Sequence, residues 1–177
     1  MDPKIYEPYT RKMYPKTFQR WGTTGVKRID AYRRKAALLA ARNPRCDVVE
    51  LSELSEIRSV SPSKIIVFVD CKNGERFYLS NEELDTDEPA QSNRQRTEKI
   101  RDSDAIQQCS QAIQNALRFP SSMSKSWFST SVYRAPQGNV VVTFNFTAQN
   151  GFGATLPQKA RCVFDGTGNV SPEITNR

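Results

Sequence analysis

Hydrophobic residues recur with two different periods along this chain, and the switches between them mark out its elements. Residues 25–44 read GVKRIDAYRRKAALLAARNP. Val26, Ile29, Tyr32, Ala36, Leu39 and Ala40 fall on one helical stripe, while Arg28, Arg34, Lys35 and Arg42 avoid it. The spacing predicts a helix from about Thr24 to Ala41, capped by Thr23 or Thr24 and stopped by Asn43-Pro44. A shorter helix over Lys16 to Trp21 is expected after Pro15. The period then shortens to two. CDVVEL, KIIVFVDC and ERFYLS read as three strands, with the turn signal Asn73-Gly74 between the second and third and SNEEL as a capped helical turn after them.

The helical period returns in SDAIQQCSQAIQNALRFP, residues 103–120. Ile106, Cys109, Ala112, Ile113, Ala116 and Leu117 form its stripe, Asp102 or Ser103 is the expected cap, and Pro120 ends it. WFSTSVYR, NVVVTFNFTAQ and QKARCVFD follow as strands of a meander, with the helix closing one face. Between the two halves, residues 86–101 are polar and without apolar periodicity, which reads as a linker. The expected fold is therefore α+β. It comprises two small units, each a helix followed by about three antiparallel strands, over residues 1–85 and 102–177.

The segment FTAQNGFGATLPQKARCVF raises the question of a ligand-cradling loop. Its Asn150-Gly151-Phe152-Gly153 is too short for a phosphate loop, and no helix follows to present amides, so it reads as a hairpin turn.

Charge changes the picture more than composition does. Residues 1–45 hold twelve cations against three acids, a net +9, so a chain total of +7 leaves −2 for the rest. The cations Arg11, Lys12, Lys16 and Arg20 interleave with Tyr6, Tyr9, Tyr14, Phe18 and Trp21. Lys27, Arg28, Arg34 and Lys35 follow on the helix. Cations neutralise phosphates and aromatic rings stack on bases, so Arg11, Lys12, Lys16, Arg20, Trp21, Lys27, Arg28, Arg34 and Lys35 are the candidate contact residues for a protein or nucleic-acid partner. No known DNA-binding motif accompanies them.

The chain contains no histidine, which removes the commonest general base and the commonest zinc ligand. Its four cysteines, at 46, 71, 109 and 162, form no close pair, so no metal site is expected. No cofactor and no catalytic residues are expected either. Glu50, Glu53 and Glu56 recur every third residue and Asp85, Asp87 and Glu88 cluster, but both groups read as solvated surface. Asp70 reads as a turn cap. No apolar run is long enough to span a bilayer and no export signal is visible, so the default expectation is a cytoplasmic protein.

Four segments of the second half carry a resemblance: Ala105 to Cys109 as A-x-x-x-C, Leu117 to Ser122 as L-x-x-P-S-S, Phe146 to Gly153 as F-T-A-x-N-x-F-G, and Cys162 to Gly166 as C-x-F-x-G. Over roughly residues 103–166 the chain resembles a small bacterial and phage module of uncharacterised activity. The first half, with FVDCKNGERFYLS, resembles segments of phage or mobile-element proteins. The resemblance implies a helix-on-meander fold and places Cys109 near Cys162, because similar modules are often exported and disulfide-bonded. From the residues themselves, the two cysteines read either as buried reduced thiols or as a disulfide, and the missing export signal favours the reduced form.

These readings combine into an expected function. The chain is expected to be a non-enzymatic binding or regulatory protein of phage or mobile-element type. It would dock a protein partner through residues 4–45. Weakly sequence-specific nucleic-acid binding through the same arm is the rival, and an extracytoplasmic, disulfide-stapled adaptor is the third reading.

Overall fold

The computed structural model describes residues 3–86, 88–168 and 170–176; the side chains of Pro3 and Lys4 and all of Asp87 lie outside the described residues. The chain is α+β and divides into two compact units, Met1–Asn93 and Arg94–Arg177.

In the first unit a short 3-10 turn, Pro3–Tyr6, precedes the long helix α1, Pro15–Ala41. Pro15 sits in its first turn, where a missing N–H costs nothing. Gly22 breaks the helix with φ 65 and ψ 174, a conformation essentially reserved for glycine. The kink resolves α1 into the two helices that the sequence predicts, joined without a loop. The stripe residues Val26, Ile29, Ala36, Leu39 and Ala40 are all buried.

Behind α1 lies an antiparallel sheet in the order β1-β2-β3, built from Val49–Leu54, Ile66–Cys71 and Arg76–Ser80. Asn73-Gly74 makes the β2–β3 turn, with Gly74 at φ 83. Asp70, expected as a turn cap, instead accepts from the Arg76 guanidinium across this hairpin with both carboxylate oxygens. The helix α2, Asn81–Thr86, opens with a reciprocal cap. Ser80 Oγ accepts from the Glu83 N–H while the Glu83 carboxylate accepts from the Ser80 N–H.

Residues 86–101 are more structured than their composition suggests. They hold a helical turn, α3, Asn93–Thr97, and they bury Ala90, Ser92, Asn93 and Thr97.

In the second unit α4, Asp102–Ala116, lies against a sheet in the order β4-β6-β7-β8, with β5 also pairing to β6. These strands are Ser124–Lys125, Ser131–Arg134, Val140–Gln149, Thr155–Phe164 and Val170–Asn176 for β4 to β8. Alternate residues of β6, from Val140 to Ala148, face the helix and are buried with Cys109, Ile113, Ala160, Cys162 and Phe164. The meander thus has two strands more than expected, the short β4 and β8, and its first expected strand is divided: Trp127–Ser129 is a 3-10 turn and only Ser131–Arg134 pairs. The N-cap of α4 is Arg101, without a side-chain hydrogen bond, rather than Asp102 or Ser103. Asn150 closes the β6–β7 hairpin, its Oδ1 accepting from the N–H groups of Phe152 and Ala154, with Gly153 at φ 80. GFG is a turn.

All four cysteines are bonded. Cys46 joins Cys71 in the first unit and Cys109 joins Cys162 in the second, so the disulfide reading of the latter pair holds rather than the reduced one.

Candidate functional site

The basic N-terminal segment is organised by a residue that sequence patterning passes over. Arg33 lies on the buried side of α1 and is 2% exposed. Its Nε donates to the Ser52 carbonyl at 2.8 Å, and Nη1 donates to the Glu7 carbonyl at 2.9 Å and to the Asp30 carboxylate at 3.0 Å. Nη2 donates to Glu53 at 2.9 Å. The Tyr9 ring covers the guanidinium at 4.0 Å, its hydroxyl donates to Glu53, and the Leu54 N–H donates back to that oxygen. Burial, reinforced by the Glu53 hydrogen bond, pushes the Tyr9 phenol well above the ordinary tyrosine range. Tyr14 stacks on Tyr9 at 3.9 Å, so the chain before α1 is pinned to the sheet.

This network reassigns several expected contact residues. Trp21 is 7% exposed and belongs to the core, so it presents no stacking face. Tyr6, Tyr14, Phe18 and Tyr32 pack against the same core. Arg20 is held by Glu56 at 3.3 Å and by the Ser59 carbonyl at 2.7 Å, and Arg11 lies over the Phe18 ring. The acidic triplet is divided too. Glu53 and Glu56 bind Arg33 and Arg20, and only Glu50 matches the expected solvated surface without such a partner.

What remains outward is a cationic face. Lys12 is exposed on the approach to α1, and Lys16 is exposed in its first turn, where it borders a cleft of about 620 Å³ with Met13, Tyr14 and Glu56. Beyond the kink, Lys27, Arg28, Arg34 and Arg42 are exposed and Lys35 half-exposed. At about 100° per residue these five lie within one side of the helix, opposite Ile29, Ala36 and Ala40, and span about 22 Å. The sole acid of α1, Asp30, turns inward to Arg33 and does not dilute this side. Arg34 is propped over the Tyr6 ring at 5.8 Å. Ala31 and Leu38, the latter 43% exposed, lie among the cations and give the face an apolar centre.

The spacing of Lys27, Arg28, Arg34 and Lys35 is legible in the sequence. The inward turn of Tyr9 onto Arg33 and the burial of Trp21 in the core are not, because nothing local signals which aromatic residues the fold covers.

Among the described residues, no group of three or more His, Cys, Asp or Glu side chains is gathered as a metal site, and no helix is long and apolar enough to cross a membrane. Compared with known proteins, the chain matches no family model, no curated protein and no solved structure.

Proposed function

We propose that this is a non-enzymatic, disulfide-stapled binding protein that docks an acidic protein partner on the outer side of α1. The observation that carries the reading is what α1 itself contributes to that side: five cations, no acid of its own, and an apolar centre at Ala31 and Leu38. A protein interface combines an apolar centre with a charged rim that steers encounter and fixes register. Nucleic-acid binding by the same cations is the rival. It draws less support, because the rings that would stack on bases are packed in the core. Disulfides persist in oxidising surroundings, so two bonded pairs favour the extracytoplasmic adaptor over the cytoplasmic default.

The test is a comparison of wild type with a variant carrying Lys27→Glu, Arg28→Glu, Arg34→Glu and Lys35→Glu. Lys27, Arg28 and Arg34 are exposed and Lys35 is partly buried, so circular dichroism first verifies that the variant keeps the fold. Quantitative affinity capture should recover one acidic protein on wild type and lose it on the variant. In parallel, anisotropy titrations with labelled DNA and RNA should give no saturable binding at about 200 mM salt. Saturable nucleic-acid binding that falls steeply with salt and disappears in the variant would replace this reading with the rival.

A further inference from the structure

The second unit carries a groove that owes nothing to α1. Ile106, Gln107 and Ser110 form one wall, on a single side of α4. Met123, Lys125 and Trp127 form the other; they alternate along β4 and its flanks, and alternate residues of an extended chain share a side. The space between is about 630 Å³, within the range of about 300–1,000 Å³ common to small-molecule sites. Trp127 is 73% exposed although its neighbours in the groove are mostly half-buried, so a large ring surface faces open solvent.

Lys125 is the unusual member. Its ammonium sits 4.4 Å from the Trp127 ring centroid and 4.5 Å from that of Phe144, which is itself buried. It donates to Ser110 Oγ at 2.9 Å, and that hydroxyl spends its own proton on the Ile106 carbonyl at 2.8 Å. Among the described residues Lys125 has no carboxylate partner. Two ring faces hold the cation but offer no lone pair, so an ammonium with three donors has one conventional acceptor. Burial accordingly pushes the Lys125 ammonium below the ordinary lysine range. Structure alone does not require a cation here, because a methionine or leucine would cover Phe144 without desolvating a charge.

We propose that this groove binds a small amphipathic carboxylate, with its apolar chain against Ile106, Met123 and Trp127 and its carboxylate on Lys125 Nζ. One cation among apolar walls suits a carboxylate better than a phosphate, which typically gathers several cations or a row of backbone amides. The carboxylate supplies the missing acceptors. The chain covers the exposed indole. Gln107 at the rim stays in water beside the entering headgroup.

The test uses the full chain with octanoate and, as a neutral probe of equal length, 1-octanol, followed by calorimetry and by NMR of the Trp127 indole, Met123 methyl and Ile106 methyl signals. Octanoate should bind saturably at one site, shift these three signals together, and bind about tenfold more tightly than 1-octanol, as a charge-assisted hydrogen bond in a half-buried site requires. Lys125→Met should remove that tenfold preference, bringing octanoate to the affinity of 1-octanol or below it. Absence of saturable octanoate binding, equal affinity for the two probes in wild type, or shifts centred away from the groove would each overturn the proposal. The wild-type comparison stands even if the variant fails to fold.

Discussion

Replacing Arg33 by methionine removes the guanidinium on which the first unit converges while keeping most of the side chain's bulk. Four donor contacts are lost at once: to Ser52, Glu7, Asp30 and Glu53. Breaking a buried ion pair from one side typically costs about 3–5 kcal/mol, because the remaining charge stays desolvated. Asp30 and Glu53 keep side-chain exposures of 20% and 21%, so water relieves part of that cost and places it near 3 kcal/mol, about the low end of that range. The lost contact with the Tyr9 ring adds about 1 kcal/mol, for a total of about 4 kcal/mol. Arg33→Lys keeps the charge but not the planar fork and should cost about half as much. The assay is urea unfolding followed by Trp21 emission in a Trp127→Phe background, so that the signal reports on the first unit alone. A loss below about 1 kcal/mol for Arg33→Met would refute the reasoning, since the cluster would then be no more than an exposed ion pair in its effect.

Other consequences follow from the same geometry. Tyr9 is raised above the unfolded tyrosine value of about 10, so its contribution is whole below that pH and is lost as pH rises beyond it toward the folded value. Burial raises Tyr14 as well, so phenolate absorbance at 295 nm should show a late-ionising component to which Tyr9 contributes the latest step, and Tyr9→Phe should remove that latest step. Cysteine-to-serine replacement of the 46–71 pair should cost about 3.5 kcal/mol and of the 109–162 pair about 4 kcal/mol, from closed loops of 25 and 53 residues. Intact mass should be four hydrogens below that of the reduced chain. Gly22→Ala should cost about 2 kcal/mol by thermal unfolding. The space around Gly22 is open, so this cost is one of backbone conformation, and a neutral result would mean that the kink is not fixed.

The sequence is most informative where burial follows a regular period. Val26 through Ala40 on α1, and the alternation of Val140, Val142, Phe144 and Phe146 on β6, both identify the covered side correctly. Strand β8 is missed because its alternation is carried by only two apolar residues, Val170 and Ile174, with Pro172 between them reading as a strand breaker, which an edge strand tolerates. Arg33 is missed for a different reason. It occupies a stripe position between Ile29 and Ala36, but its acidic partner Glu53 is twenty residues away and only the fold brings them together. Tyr9 covers Arg33 with Tyr14 stacked on it, while Tyr6, Phe18 and Trp21 pack on the core, so a composition suited to base stacking becomes a packed anchor. Lys125 did leave a signal: Met123, Lys125 and Trp127 alternate, which sets a lone cation between two large apolar side chains on one side of a strand.

The central claim is that the outer side of α1 is a protein-docking surface, and site-specific photo-crosslinking tests it most directly. Benzoylphenylalanine placed at Leu38, in the middle of the cationic face, is compared with the same group at Ile57, an exposed position outside α1. The account predicts one acidic protein adduct from position 38, none from position 57, and its loss when Lys27, Arg28, Arg34 and Lys35 are all changed to glutamate. A nuclease-sensitive adduct at position 38, or a protein adduct that survives the charge reversal, would contradict it.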